Sequence, residues 1–211
     1  MPDFVSTEKA STETADSAAL PAVERHPLRP FLPVGARVLM LGSFPPPRKR
    51  WSMDFFYPNY LNDMWRIFGL VFRGDKDAFV DVDNKRFRQA ELVTFLEEKG
   101  VALYDTAVSV RRLQGNASDK FLEVVEPTDI AALLRQIPRC RVVVTTGQKA
   151  TDTLCDYFQI SEPKLGDSTD FEFEGRPMRF FRMPSSSRAY PLKLERKAGI
   201  YGKMFAEAGL K

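Results

Sequence analysis

The stretch RVLMLGSF, residues 37–44, is an apolar run of strand length that ends at a glycine. A continuous run of this kind is typical of a strand that is covered on both faces. The stretches VALYDT (101–106) and RVVVTTG (141–147) follow the same pattern. A hairpin that turns at Glu174-Gly175 supplies a fourth predicted strand, at about 177–183.

Segments with helical periodicity alternate with these strands. Their apolar residues recur at intervals of three and four, as on the buried face of a helix. The stripes run over Leu61 to Phe72, Leu92 to Leu96, Ile130 to Ile137, Ala150 to Phe158 and Leu194 to Ala208. Buried strands that alternate with helices predict a mostly parallel sheet sandwiched between helices.

Length and composition predict one intracellular domain. The 211 residues suffice for one core, and residues 1–25, rich in Ser, Thr, Ala and Glu, are predicted to be a disordered tail before a domain at 26–211. No apolar run approaches the length of roughly 18 residues that a membrane span needs, so no membrane partner is expected. Two cysteines without metal spacing indicate a reducing compartment, and we expect a cytoplasmic monomer.

The scarcity of metal-ligating side chains limits the chemistry. A single histidine, His26, argues against a His-rich zinc site and against a Ser-His-Asp triad. Acidic residues are scattered, and no phosphate-binding loop with the spacing of nucleotide-binding proteins is present. We therefore expect no metal and no cofactor. The formal net charge of +3 is compatible with a polyanionic partner.

The candidate site lies in the loops that follow the strands, because ligands of parallel sheets bind outside the carboxyl ends of the strands. The first loop contains Gly42, three prolines and the basic run Arg48 to Arg50. It is either a stiff surface connector or a shaped wall beside a ligand, with the basic run on phosphates, and composition favours neither. The aromatic run Phe55 to Tyr57 is either core or a stacking pocket, and Asn62 is either a helix cap or a site residue.

Two further loops leave the same choice open. TTGQKA (145–150) resembles a strand-to-helix turn whose amides face an anion, and on its own this is a weak signal. PSSSRAYPLK (184–193) is either a capped loop or a group of hydroxyls and amides that grips a backbone phosphate. Together the residues predict an α/β domain with a rigid aromatic pocket and basic or hydroxyl-bearing loops at one edge.

A resemblance to a known family adds to this interpretation. VLMLGSFPPP, FFYPNYLNDMWRIFG, GVALYDTAVSVRR, VVVTTGQKA and RMPSSSRAYP resemble, in this order, motifs of the uracil-DNA glycosylase superfamily. They look most like its branch of hypoxanthine (deoxyinosine) and mismatch-type DNA glycosylases, over roughly residues 26–211. The resemblance implies a three-layer α/β/α sandwich around a central four-stranded, mostly parallel sheet. It also implies base excision repair: a deaminated base is flipped out of DNA and its N-glycosidic bond is hydrolysed without a metal.

The resemblance also implies catalytic residues. In many superfamily members the third residue of the first motif is Asp or Asn and positions the attacking water, but here it is Phe44. The hypoxanthine-type branch shares this departure, and there the asparagine of the Asn-x-x-Trp motif is implicated. That residue corresponds to Asn62, which we expect to orient water or to polarise the base. Asp54, eight residues earlier, is the reserve candidate.

The remaining site residues are assigned by the same resemblance. Phe44 and an aromatic residue of the following segment would stack the base, with Ser43 reading one of its edges. The expected base-binding residues are Gly42, Ser43, Phe44, Phe56, Tyr57 and Gly147. The expected DNA-backbone contacts are Arg48, Lys49, Ser185, Ser186, Ser187, Arg188 and Lys193. Family members often carry a histidine in the last motif, and its absence here leaves the identity of the base open among uracil, hypoxanthine and xanthine.

Two other functions fit the same sequence features. A catalytically weak or inactive DNA-binding module on this fold would bind DNA in a salt-sensitive way and release no base, with Phe44 marking the loss of catalysis. A nucleoside hydrolase would turn over free nucleosides, but the acidic cluster that binds sugar and metal in such enzymes is missing.

Overall fold

The computed structural model of the protein describes residues 20–114 and 121–211. The strands are β1 (Val23–Arg25), β2 (Val38–Gly42), β3 (Val80–Asp81), β4 (Arg86–Phe87), β5 (Val101–Asp105), β6 (Ala107–Arg112), β7 (Leu122–Pro127), β8 (Val142–Thr146), β9 (Ser168–Phe173) and β10 (Arg176–Met183). The helices are α1 (Met64–Arg73), α2 (Gln89–Lys99), α3 (Ile130–Gln136), α4 (Gln148–Phe158) and α5 (Leu194–Glu207). None of the helices in these two ranges is long and apolar enough to cross a membrane.

The central sheet has the strand order β5-β2-β8-β10-β9. Its first four strands are parallel, and they are the four that the sequence predicts. Every residue of β2, β5 and β8 is buried, which explains their unbroken apolar character. The predicted count of four strands is wrong, because β9, the outgoing arm of the hairpin, pairs antiparallel with β10 and makes a fifth. This pairing satisfies the backbone groups that β10 would otherwise expose.

The helices form two groups. Aromatic side chains of α1, α2 and α5 meet in one cluster, in which Phe68 contacts Phe95 and Phe205 with ring centroids 6.2 and 5.0 Å apart. The start of α3 is joined to α4, because the Tyr157 hydroxyl of α4 donates to Asp129, the residue before α3, at 2.7 Å. Helices α1 and α2 lie on the connection from β2 to β5, which runs in one direction along the sheet. Helices α3 and α4 lie on the connections from β5 to β8 and from β8 to β10, which run in the opposite direction. Because crossovers between parallel strands are right-handed, the two groups lie on opposite faces of the sheet.

A second, smaller sheet has the order β1-β6-β7 and is antiparallel. Its strand β1 lies within the segment predicted as a tail, residues 1–25, of which residues 1–19 lie outside the described residues. Its strand β6 follows β5 almost directly and is not among the strands predicted from the sequence. Ala107 and Val110 of β6 and Leu122 of β7 pack against Phe44, so this sheet supports the first loop of the candidate site.

Candidate active site

A cavity of about 580 Å³ lies at the carboxyl ends of the parallel strands. The loop after β2 forms one wall, the serine-rich loop after β10 forms the opposite wall, and the residues before α1 close a third side. Its lining combines aromatic and proline rings with hydroxyl groups, the side-chain amides of Asn59 and Asn62, the guanidinium of Arg50 and one carboxylate. The lining residues are Gly42, Ser43, Phe44, Pro45, Pro46, Arg50, Phe56, Tyr57, Pro58, Asn59, Asn62, Asp105, Thr146, Ser185, Ser186, Ser187, Ala189, Tyr190 and Pro191. Such a mixture of apolar walls and a few polar groups is typical of small-molecule sites.

The proline-rich wall is anchored from two sides. The Trp51 indole N–H donates to the Pro46 carbonyl at 2.7 Å, and the buried Arg112 guanidinium donates to the Pro45 carbonyl at 2.5 Å. Proline rings fix φ, so few backbone torsions remain free in this segment. The wall is therefore preorganised, and Phe44 at its base is only 9% exposed.

Asp105 supplies the carboxylate of the pocket, and among the described lining residues it is the one acidic side chain. It is the last residue of β5 and is 7% exposed. Its Oδ2 accepts a hydrogen bond from His26 Nε2 at 2.8 Å. Its Oδ1 faces the backbone at Gly42, where a Cβ atom would come within 2.4 Å of it. A glycine at residue 42 thus makes room for a buried negative charge at the floor of the pocket.

Tyr57 places a neutral hydroxyl beside this carboxylate. Burial, and then the charge of Asp105, raise the pKa of the Tyr57 phenol, so it remains protonated and can donate a hydrogen bond. The hydroxyl lies 3.0 Å from Thr146 Oγ1, at the end of β8. Tyr57 has a φ of 49°, in the left-handed region that costs a non-glycine residue about 1–3 kcal/mol. Strain of this kind persists where the surrounding structure holds a side chain in place, and the strained residue here, Tyr57, lines the cavity with its aromatic ring.

Asn62 lies two residues before Met64, the first residue of α1. Its Oδ1 accepts from the Met64 N–H at 2.9 Å, so the capping role and the pocket position coexist. Because the donor is a backbone N–H, the oxygen of the amide must face Met64. The NH₂ group then remains available as a donor toward the cavity, and within the described residues it donates to no protein acceptor.

The serine-rich loop is held rigidly by three donors to its backbone carbonyls. The Asp63 N–H donates to Ser186 at 2.9 Å and the Lys197 ammonium donates to Ser187 at 2.7 Å. The Tyr201 hydroxyl donates to the Pro184 carbonyl at 2.7 Å. Lys197 also forms a 2.9 Å ion pair with Asp63 and has no exposed surface. This buried pair ties α5 and the start of α1 to the loop that carries the hydroxyls.

Most of the predicted base-binding and serine residues come together in the cavity. The structure brings there Gly42, Ser43, Phe44, Phe56, Tyr57, Asn62, Ser185, Ser186 and Ser187. Gly147 is not among the lining residues, and its N–H donates to the Met183 carbonyl at 3.1 Å. Asp54 also lies outside the cavity, with a side chain that is 75% exposed and paired with Arg48 at 2.9 Å.

The predicted cationic contacts divide into two positions. Arg48 stacks over Trp51 and pairs with Asp54, and Lys49 is exposed on the same turn, whereas Arg50 alone of this run reaches the cavity. On the other side, Arg188 and Lys193 line a neighbouring depression, for which we use the name basic depression. Its lining is completed by Asp63, Arg66, Lys76, Pro191, Leu192 and Leu194. Pro191 belongs to both the cavity and the basic depression, so positive charge lies next to the mouth of the pocket.

Two residues of the site escape the sequence prediction. Asp105 carries a usable signal, because a carboxylate at the carboxyl end of a buried strand lies at the same sheet edge as Gly42. His26 carries no local signal, since it meets Asp105 across 79 residues of sequence. In residues 20–114 and 121–211, no three His, Cys, Asp or Glu side chains are grouped so that they could hold a metal ion.

The comparisons with known proteins concern the fold. No family model matches the chain, and no curated protein matches it. Among solved structures, the chain is similar to the solution NMR structure of a "putative Uracil DNA glycosylase" from Methanosarcina acetivorans, at 20% sequence identity and a TM-score of 0.58. The match covers 89% of this chain and 99% of that one. The chain therefore shares the α/β fold of that protein.

Proposed function

We propose that the protein is a monofunctional DNA glycosylase that hydrolyses the N-glycosidic bond of a deaminated base, uracil, hypoxanthine or xanthine, flipped out of DNA. The observation that carries the proposal is the cavity itself. It joins two buried aromatic walls, Phe44 and Phe56, to the buried carboxylate of Asp105 and the amide of Asn62. The fold shared with a protein named as a uracil DNA glycosylase supports the same reaction class, and DNA is the expected partner.

Asp105 is the group we assign to the reacting sugar. As the glycosidic bond breaks, its electron pair leaves with the base and the sugar gains positive charge. A buried carboxylate stabilises that charge more strongly than water does, and it can accept a hydrogen bond from the water that attacks C1′. The water oxygen bonds to C1′, and its proton passes to the carboxylate or to the departing base. Asp105 thereby supplies the negative charge that Phe44, in the first motif, cannot.

Asn62 is the group we assign to the base. With its Oδ1 engaged by Met64, the side chain offers its NH₂ group to the pocket. Deaminated bases present carbonyl oxygens where the parent bases carry amines, and an amide donor favours the carbonyl. As negative charge develops on the departing base, this hydrogen bond strengthens. Of the two expected roles, polarisation of the base therefore fits the capped geometry better than orientation of water.

DNA contacts are assigned to both walls of the cavity. The hydroxyls of Ser185 and Ser187 and the side chain of Arg50 stand at its rim, and the basic depression continues beyond Pro191. A DNA strand lying over the mouth would meet positive charge on both sides of the flipped nucleotide. Binding through these groups weakens as salt concentration rises, since condensed counterions are released.

A panel of duplex and single-stranded oligonucleotides that carry one uracil, hypoxanthine or xanthine tests the proposal. Cleavage at abasic sites after alkali treatment is expected for at least one lesion. Asn62→Ala is expected to lower the single-turnover rate on that lesion by about 100-fold, because a hydrogen bond to the developing anion is lost. Asn62→Asp keeps the oxygen that caps α1 but removes the NH₂ donor, so it should lose activity while unfolding at the wild-type temperature. Full activity in both variants would remove Asn62 from this role.

Gly42→Ala tests the close approach of Asp105 to the strand end. The added methyl would lie 2.4 Å from Asp105 Oδ1, so the carboxylate must rotate away. We expect base release to fall by about 100-fold, because a displacement near 1 Å at the reacting centre costs about that factor. Gly199→Ala, on α5 with no atom within 4 Å of the added methyl, is the matched control and should leave the rate unchanged. Wild-type rates in both variants would show that Asp105 tolerates displacement.

A further inference from the structure

The segment that precedes the first core strand, residues 20–32, crosses the edge of the sheet and is called here the N-terminal strap. Its strand β1 pairs with β6, and the His26 N–H donates to the Val108 carbonyl at 2.8 Å. Further along, Phe31 exchanges backbone hydrogen bonds with Leu103 of the edge strand β5, at 3.0 and 2.9 Å. The N-terminal strap is thus fixed on both sides of His26, whose side chain enters the protein between these contacts.

The imidazole of His26 lies behind the floor of the cavity and has no exposed side-chain surface. Aromatic rings enclose it: the centroids of Tyr104 and Phe44 are 4.7 and 5.3 Å away, and that of Phe56 is 6.3 Å away. Two of these rings, Phe44 and Phe56, face the cavity on their other side. His26 does not line the cavity itself, so it can act there only through its neighbours.

The hydrogen bonds of His26 determine which atom donates to Asp105. Nδ1 lies 3.1 Å from the Leu28 N–H and 2.9 Å from the Leu28 carbonyl oxygen. An ionised carboxylate only accepts hydrogen bonds, which selects the neutral tautomer with its hydrogen on Nε2; in that tautomer Nδ1 accepts from the N–H, and in the cationic ring it donates to the carbonyl. In both cases Nε2 carries a hydrogen and donates to Asp105 Oδ2 at 2.8 Å. The partner of Nε2 is therefore the same in either protonation state of the ring.

This arrangement separates the two oxygens of Asp105. Oδ2 is occupied by His26, while Oδ1 is directed to Gly42 and the cavity. The Thr128 hydroxyl donates to the Asp105 carbonyl at 2.7 Å and fixes the backbone of the same residue. Because the backbone of Asp105 and its Oδ2 are both restrained, the side chain can rotate little and the position of Oδ1 is nearly fixed.

We propose that His26 is a positioning residue that holds Asp105 so that Oδ1 faces the flipped nucleotide. The proposal rests on the proposed function, in which Asp105 stabilises the reacting sugar. It makes the N-terminal strap a part of the active site, because the donor comes from outside the α/β core. The rate of base release then depends on a hydrogen bond that touches neither the base nor the sugar.

Two amide variants of the full-length protein test this assignment. In His26→Gln the side-chain amide reaches the position of Nε2 and keeps a donor for Asp105. In His26→Asn the amide reaches only the position of Nδ1, so the contact with Leu28 can remain while the donor to Asp105 is lost. We expect the single-turnover rate to stay within about 5-fold of wild type for Gln and to fall about 100-fold for Asn. The dissociation constant for lesion-bearing DNA should change by less than about 2-fold in both, because no DNA contact is altered.

The background variant Asp105→Asn makes the outcomes distinguishable. In that background, His26→Asn is expected to lower the single-turnover rate further by less than about 2-fold, because the two residues act as one unit. If Asp105→Asn itself retains wild-type activity, the role of Asp105 in the proposed function fails. If Asp105→Asn is inactive while folded His26→Asn is fully active, only the positioning role fails, and equal losses in the Gln and Asn variants would also overturn it. His26→Leu, measured in the same way, replaces His26→Asn if thermal melting shows the latter unfolded.

Discussion

Asp105→Asn is expected to lower the single-turnover rate of base release by about 100-fold or more, the largest effect on activity of any single change in the pocket. Asparagine has the same shape, and its carbonyl oxygen can still accept the hydrogen bond from His26. What is lost is the negative charge that the proposed mechanism places beside the sugar as its glycosidic bond breaks. Unfolding temperature and affinity for lesion-bearing DNA should stay near wild type, because the substitution removes neither volume nor a DNA contact.

Asp54→Asn is the matched control for this measurement. It removes a carboxylate that lies outside the cavity, from a side chain that is 75% exposed and paired with Arg48. Its rate of base release should stay within about 2-fold of wild type, since exposed ion pairs contribute little. A large loss in Asp54→Asn with an unaffected Asp105→Asn would reverse the assignment and make Asp54 the catalytic carboxylate.

Lys197→Met is expected to have the largest effect on stability. The substitution removes the ammonium that pairs with Asp63 at 2.9 Å and donates to the Ser187 carbonyl, and it leaves the Asp63 carboxylate buried. Breaking one partner of a buried pair costs about 3–5 kcal/mol in the free energy of unfolding. We expect the lower end of this range, because Arg188 remains 3.5 Å from Asp63. Urea unfolding followed by circular dichroism measures the loss.

Lys203→Met on the same helix provides the comparison. The Lys203 side chain is 72% exposed and lies 3.9 Å from Glu207, so its removal should change the free energy of unfolding by less than about 0.5 kcal/mol. Since the buried pair also holds the serine-rich loop, Lys197→Met should weaken DNA binding at temperatures where it is still folded, and Lys203→Met should not. Equal stabilities of the two variants would show that the Asp63–Lys197 pair contributes no net stability.

The parts of the fold that are predictable from the sequence are those with a strong local period. The strands β2, β5, β8 and β10 are apolar throughout or alternate, and the helices between them carry stripes at intervals of three and four. The antiparallel strand β6 was accessible to the same reasoning, because AVSVRR alternates. It follows a buried strand almost directly, however, and it is defined as a strand by its pairing with β1 and β7, which lie far from each other in the sequence.

The candidate site was predictable where a residue follows a strand closely in sequence. Gly42 ends β2, Ser43 and Phe44 follow it, and all three lie in the cavity, as do the serines that follow β10. Gly147 also follows a strand, but its amide turns inward to β10, which no sequence pattern indicates. His26 reaches the site only because the N-terminal strap pairs with β6, and long-range pairing of a short strand leaves no periodic trace.

Direct identification of the products tests the central claim most directly. The wild-type protein is incubated with an oligonucleotide that carries one deaminated base, and the mixture is analysed by mass spectrometry before any alkali treatment. We expect free uracil, hypoxanthine or xanthine together with an intact strand that carries one abasic site, and we expect Asp105→Asn to form both products at least about 100-fold more slowly. Salt-sensitive binding to the same oligonucleotides with no free base from any of the three lesions would contradict it, and would identify the protein as a DNA-binding module.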